Sequence, residues 1–174
     1  MDEVSLLELL EAREIRAAIQ SELIARHQGT LICFMINMPG PVKYNDASLF
    51  IHDQGVKAIH YFTNTCGIIC NHEQIIIKNT GIEGYFLFDY PSFRIKEKTC
   101  EIEECHPLGR LFDMDVFESD NKPISRDQIG LQRRKCLLCE NEGVYCSRNQ
   151  THSVSELQFR IKEMIAKAGG GNIG

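Results

Sequence analysis

The sequence has no excess of positive charge. Its 19 lysines and arginines face 24 aspartates and glutamates, for a formal net charge of -5. An acidic chain offers no general positive field to a polyanion, which argues against a non-specific nucleic-acid binder. It also has no long hydrophobic run. The longest, Leu31 to Ile36, is about a third of the length a membrane-spanning helix needs. The N-terminus, Met-Asp-Glu-Val, has neither the basic start nor the apolar middle of a secretory signal, so a soluble, cytoplasmic protein is expected, with no membrane partner.

With 174 residues and 43% hydrophobic content, the chain can bury one core. A single catalytic domain over residues 1–168 is expected, followed by a flexible glycine-rich tail over 169–174. Eight cysteines in a chain without a secretory signal are expected as reduced thiols, several of them packing as small apolar residues.

Apolar residues at helical spacing predict a helix from Ser5 to about Gln28, with Ser5 and Glu8 as a capping box, and a buried strand over Thr30–Asn37. Met38 to Lys43, with two prolines around a glycine, reads as a turn or extended loop. Asp46 or Ser48 is expected to cap a short helix to about Gln54. Lys57–Phe62, Gln74–Lys78 and Gly84–Asp89 read as strands, Ser92–Cys105 as a helix, and Arg110–Phe117 contains a short strand-like segment. Ser153 and Glu156 form a second capping box for a final helix to about Ala168. The pattern predicts an α+β fold, a central mixed or antiparallel sheet flanked by helices.

Within Gly109-Arg110-Leu111-Phe112-Asp113-Met114-Asp115-Val116, strand alternation puts Asp113 and Asp115 on one face. Two carboxylates there suit a hard divalent cation such as Mg²⁺, which would in turn hold phosphate oxygens. Gly109 would allow close approach of a phosphate chain, and Arg110 would neutralise it. The same spacing also suits an ordinary solvated strand face. Cys136, Cys139, Cys146 and His152 form a C-x₂-C-x₆-C-x₅-H pattern whose ligand types suit a closed tetrahedral zinc site, or else reduced cysteines packed on a turn. Lys43, Arg126, Arg133, Arg134 and Arg148 would make a polyphosphate pocket if folding gathers them, and are otherwise surface charges. His106 and His152 are candidate proton-transfer groups.

In order along the chain, Met38-Pro39-Gly40-Pro41-Val42-Lys43, the block His106-Pro107-Leu108-Gly109-Arg110-Leu111-Phe112-Asp113-Met114-Asp115-Val116, Ile124-Ser125-Arg126, Arg134-Lys135-Cys136-Leu137-Leu138-Cys139 and Cys146-Ser147-Arg148 with His152-Ser153 resemble the citrate lyase holo-acyl carrier protein synthase family. The resemblance runs from about Pro39 to Leu157. It implies a nucleotidyltransferase that moves the phosphoribosyl-dephospho-CoA group of 2′-(5″-triphosphoribosyl)-3′-dephospho-CoA onto a serine of the acyl carrier protein (gamma) subunit of citrate lyase, releasing diphosphate. Under that resemblance Asp113 and Asp115 hold Mg²⁺, and Lys43, Gly109, Arg110, Arg126, Arg134 and Arg148 bind the donor. Asp115, with His106 behind it, accepts the serine proton. A more general likeness to polymerase-type nucleotidyltransferases implies a nucleotidyltransferase-like fold, but Arg110 stands where a serine commonly follows the glycine and no third carboxylate is identifiable. A zinc-stabilised, non-catalytic protein- or nucleotide-binding module is the rival reading.

Overall fold

The computed structural model describes residues 3–170. Five α-helices surround one four-stranded sheet in the order α1 (Leu6–His27), β1 (Thr30–Ile36), α2 (Asp46–Cys66), β2 (Cys70–Lys78), β3 (Gly81–Phe88), α3 (Ser92–Cys105), β4 (Phe112–Phe117), α4 (Gly143–Arg148) and α5 (Val154–Lys167). The strands lie in the order β2-β3-β1-β4 and every pairing is antiparallel, so the α+β expectation holds. Among the described residues no helix is long and apolar enough to cross a membrane.

Each face of the sheet has its own cover. Ile32, Phe34, Phe86, Phe88, Phe112, Met114 and Val116 point to one side, where they pack against Ile51, Ile59 and Phe62 of α2, Ile95 of α3, and Ile161, Met164 and Ile165 of α5. Leu31, Cys33, Tyr85 and Leu87 point to the other side, under Leu23 and Ile24 of α1. The two-residue period of β4 therefore sends Phe112, Met114 and Val116 into the main core and leaves Asp113 and Asp115 on the α1 side. Both predicted capping boxes form, Ser5 with Glu8 and Ser153 with Glu156.

The segment Lys57–Phe62, expected as a strand, is the second half of α2, and the helix expected to stop near Gln54 runs on to Cys66. Its β-branched and aromatic composition suggested extended chain, but the buried positions Ile51, Gly55, Ile59 and Phe62 are spaced by four, four and three, which is the helical repeat. Asn45, rather than Asp46 or Ser48, is the N-cap, exchanging hydrogen bonds with Ser48. Gly55 is where α2 crosses the sheet. A Cβ there would lie 2.1 Å from Cζ of the fully buried Phe34 ring. Gly55→Ala is accordingly expected to destabilise the protein by about 3 kcal/mol through overpacking. In thermal melting that is a drop of roughly 6–12 °C.

Gly169 and Gly170 close the C-terminal end of α5. Gly169 has φ +85° and donates to the Ala166 carbonyl, while Gly170 donates to Ile165, the paired bonds of a Schellman cap on α5. The rest of the expected tail, 171–174, lies outside the described residues.

Candidate active site

β4 is the outermost strand of the sheet among the described residues, and its outward groups are taken up by other partners. The Val116 carbonyl accepts from the Ile124 amide at 2.8 Å. The Met114 amide donates to Glu103 of α3 at 3.0 Å, and the Phe112 carbonyl accepts from Arg134 at 2.7 Å. One backbone amide and two side chains thus close an edge that would otherwise invite pairing with another strand. They also fasten the segment 123–152 beside the aspartates.

A cavity of about 1320 Å³ opens here, lined by the loop after β1, by α3, by β4 and by the segment from Pro123 to α5. It brings together Lys43, Arg110, Asp113, Asp115, Arg126, Arg134, Cys136, Cys146, Arg148 and His152, most of the residues singled out in the sequence. Its volume exceeds that of a typical small-ligand pocket. Gly109 and His106 do not line it. A Cβ on Gly109 would sit 2.4 Å from the Ile102 carbonyl oxygen and 2.6 Å from that of Glu103. Glycine is required there for β4 to start hard against the end of α3. His106 Nδ1 accepts the Leu108 amide at 3.1 Å and its ring packs 5.0 Å from Phe112, both packing roles.

Asp113 and Asp115 share the α1 side of β4, with Asp115 opposite Cys33 in the register. Water reaches both through the cavity, and the Asp113 side chain is 42% exposed. Enough protein stands around them that burial, then the charge of Asp115, pushes the Asp113 carboxyl up to about 6, against the pull of Arg134. Asp115 is raised as well, by burial first, with Lys96 opposing. Two raised acids on one face call for positive charge. The Arg134 guanidinium, 3.3 Å from Asp113, meets part of it.

The cations differ in how free they are. Arg126 is committed to Glu103 and Glu104, at 2.6 Å each. Arg110 donates to the carbonyls of Lys135 and Cys136, and Arg134 to those of Arg110 and Phe112. These two forks pin the cysteine-bearing segment to β4, a task for arginine's planar donor set. Lys43 donates to the Met38 carbonyl at 2.6 Å, and burial holds its ammonium below the usual lysine range. Arg148 is exposed and makes no ion pair among the described residues.

Cys136, Cys139, Cys146 and His152 converge, their ligand atoms all within 4.8 Å of one another. Cys139 Sγ is 3.5 Å from Cys146 Sγ and 3.3 Å from His152 Nε2. Those separations approach the edges of a tetrahedron of zinc–thiolate and zinc–imidazole bonds, about 3.5–3.8 Å. Burial works against ionising Cys136, but amide donors from Leu138 and Cys139 and the neighbouring thiols win, and its thiol is lowered to about 7. This Cys₃His group could hold a metal, and it forms one wall of the cavity.

Two residues of the site escaped the sequence reading. Lys96 and Glu103 of α3 are buried and line the cavity. Lys96, Thr99 and Glu103 recur at i, i+3 and i+7 on the face of α3 that also buries Ile95 and Cys100. A polar stripe on a helix's buried face is the signal that would have found them.

The model of a family described as apo-citrate lyase phosphoribosyl-dephospho-CoA transferase matches residues 4–168. The chain belongs to that family. Among its relatives, a protein of Vibrio cholerae serotype O1 named as a probable apo-citrate lyase phosphoribosyl-dephospho-CoA transferase is 41% identical over 165 residues, covering 92% of this chain and 91% of the relative. A Citrobacter koseri apo-citrate lyase phosphoribosyl-dephospho-CoA transferase is 34% identical over 170 residues, 98% of this chain and 93% of the relative. An Escherichia coli O1:K1 protein of that same name is 33% identical over 162 residues, 93% and 88%. The family resemblance read from the sequence motifs is borne out.

Proposed function

We propose that the chain is the enzyme that transfers the phosphoribosyl-dephospho-CoA group from 2′-(5″-triphosphoribosyl)-3′-dephospho-CoA to a serine of the citrate lyase acyl carrier protein, releasing diphosphate. The observation that carries this reading is the Asp113–Asp115 pair, on one face of β4 and lining a large cavity that also gathers Lys43, Arg134 and Arg148. In the transfer, the serine Oγ bonds to the phosphorus of the donor that carries the diphosphate, and the bond from that phosphorus to diphosphate breaks. The serine proton passes to a carboxylate. Asp115, the more exposed of the pair, takes that role.

The donor set of Asp113 and Asp115, hard oxygens at a site short of positive charge, fits Mg²⁺, and when bound the ion would supply charge neutralisation for the polyphosphate. Lys43 and Arg148 hold the triphosphate, and Arg134 orients Asp113. Arg110 and Arg126 act one step removed, through the carbonyls and carboxylates they hold. His106, outside the cavity, is given no part. The Cys₃His group holds Zn²⁺ as a structural site.

Incubating the protein with apo-carrier, the triphosphoribosyl donor and Mg²⁺, and then weighing the carrier by mass spectrometry, tests the reading. A gain equal to the mass of the arm is expected. An unchanged carrier under conditions where the donor binds would leave a zinc-stabilised, non-catalytic binding module.

A further inference from the structure

We infer that Lys96, which neither the motifs nor the family name assigns, is a phosphate-binding residue whose ammonium contacts the polyphosphate of the donor beside Asp113 and Asp115. The inference rests on the cavity being the triphosphate site and adds a residue to it.

Lys96 is only 6% exposed, yet it lines the cavity. A buried ammonium is expensive unless it is paired. Among the described residues, however, no carboxylate oxygen comes within 4.0 Å of Nζ. Its one hydrogen bond goes to the Met114 carbonyl at 3.5 Å, the far limit of such a contact. Two of its charged neighbours at the site are better served. Glu103 has Arg126 at 2.6 Å, and Arg134 has Asp113 at 3.3 Å together with two carbonyls.

The position of Lys96 is as telling as the weakness of its one hydrogen bond. Met114 stands between Asp113 and Asp115, so a side chain reaching the Met114 carbonyl ends beside both aspartates. Its charge favours the ionised form of each. Closing the strand edge asks only for a donor and would be served as well by a neutral amide. An ammonium that lines the cavity with no carboxylate in contact distance, next to two acids that suit a divalent cation, is placed to meet an anion that arrives with the ligand. The oxygens of a polyphosphate carry that charge, and an ammonium is a compact point charge suited to them.

The test is titration calorimetry of inorganic tripolyphosphate, with Mg²⁺ present, into the full chain and its Lys96→Gln and Lys96→Arg variants, with a melting curve for each. Glutamine keeps a donor for the Met114 carbonyl and removes the charge. The expected result is at least tenfold weaker binding by Lys96→Gln, binding within about threefold of wild type by Lys96→Arg, and melting of both within a few degrees of wild type. Wild-type affinity in Lys96→Gln, no binding by the wild-type chain, or a loss matched by a collapse in melting would each overturn it. The carrier mass assay separates this inference from the reading beneath it. A mass gain with wild-type protein and unchanged tripolyphosphate binding by Lys96→Gln rejects Lys96 and keeps transfer. Charge-dependent anion binding with no mass gain does the reverse.

Discussion

Asparagine in place of Asp113 or Asp115 is expected to lower carrier loading by about 10³-fold, the scale on which an enzyme loses a proton acceptor or a main electrostatic element of its transition state. For Asp113 a second effect of opposite sign should accompany it. The carboxyl is raised from its ordinary 3.8 to about 6 in the folded protein, so the fold favours its neutral form. The stability tied to this group is therefore fully present below 3.8 and is lost as pH rises through about 6. At pH 7 an ionised Asp113 works against folding, and Asp113→Asn should melt higher than wild type. The gap should narrow on acidification through about 6 and close below 3.8. The Arg134 pair surrendered in the variant does not reverse this, because the pull of Arg134 is already contained in the net upward shift of Asp113. Activity should follow the same ionisation, falling on the acid side of about 6 when Mg²⁺ is scarce. A variant that loads carrier at the wild-type rate, or that melts lower at neutral pH, would contradict the assignment of Asp113 as a functional acid held in place at the expense of stability.

How much of this was legible in the sequence depended on whether the signal was local. The capping boxes at Ser5 and Ser153, the paired prolines before Lys43 and the alternation of β4 are contained in a few consecutive residues, and each gave the right element. In the second half of α2, Ile59, Tyr61 and Phe62 are strand-loving residues, and the helical repeat that outweighs them runs through Gly55, whose burial against Phe34 only the fold reveals. Gly109 illustrates the same limit from the other side. A glycine before an acidic strand suggested room for phosphate, whereas the space is occupied by the carbonyls of Ile102 and Glu103. Lys96 and Glu103 were invisible because their importance lies in what they meet across the fold, the open edge of β4.

Removing the zinc proposed for the Cys₃His group should be the most disruptive single change to the cavity and the least disruptive to the core. Metal analysis of purified protein is expected to find one zinc, since four ligand atoms within 4.8 Å of one another meet the geometric demand of a tetrahedral structural site. The free energy of such sites is largely that of folding the segment that carries the ligands, so Cys139→Ser or treatment with a strong chelator should release residues near 131–152. That release removes a wall of the cavity. Arg134 would lose its hold on Asp113, and Arg148 would leave the rim. The sheet and helices α1 to α3 make their contacts without the cysteine ligands, apart from the marginal packing of Leu137 against the core. Hydrogen exchange should therefore rise across 131–152 while β1 and β3 stay protected, and carrier loading should fall in parallel with zinc content. Cys33→Ser, at a buried thiol on the α1 side of the sheet, should leave the zinc content unchanged. Full loading by metal-free protein would show that the Arg110 and Arg134 forks hold the segment unaided, and the zinc assignment would then fail.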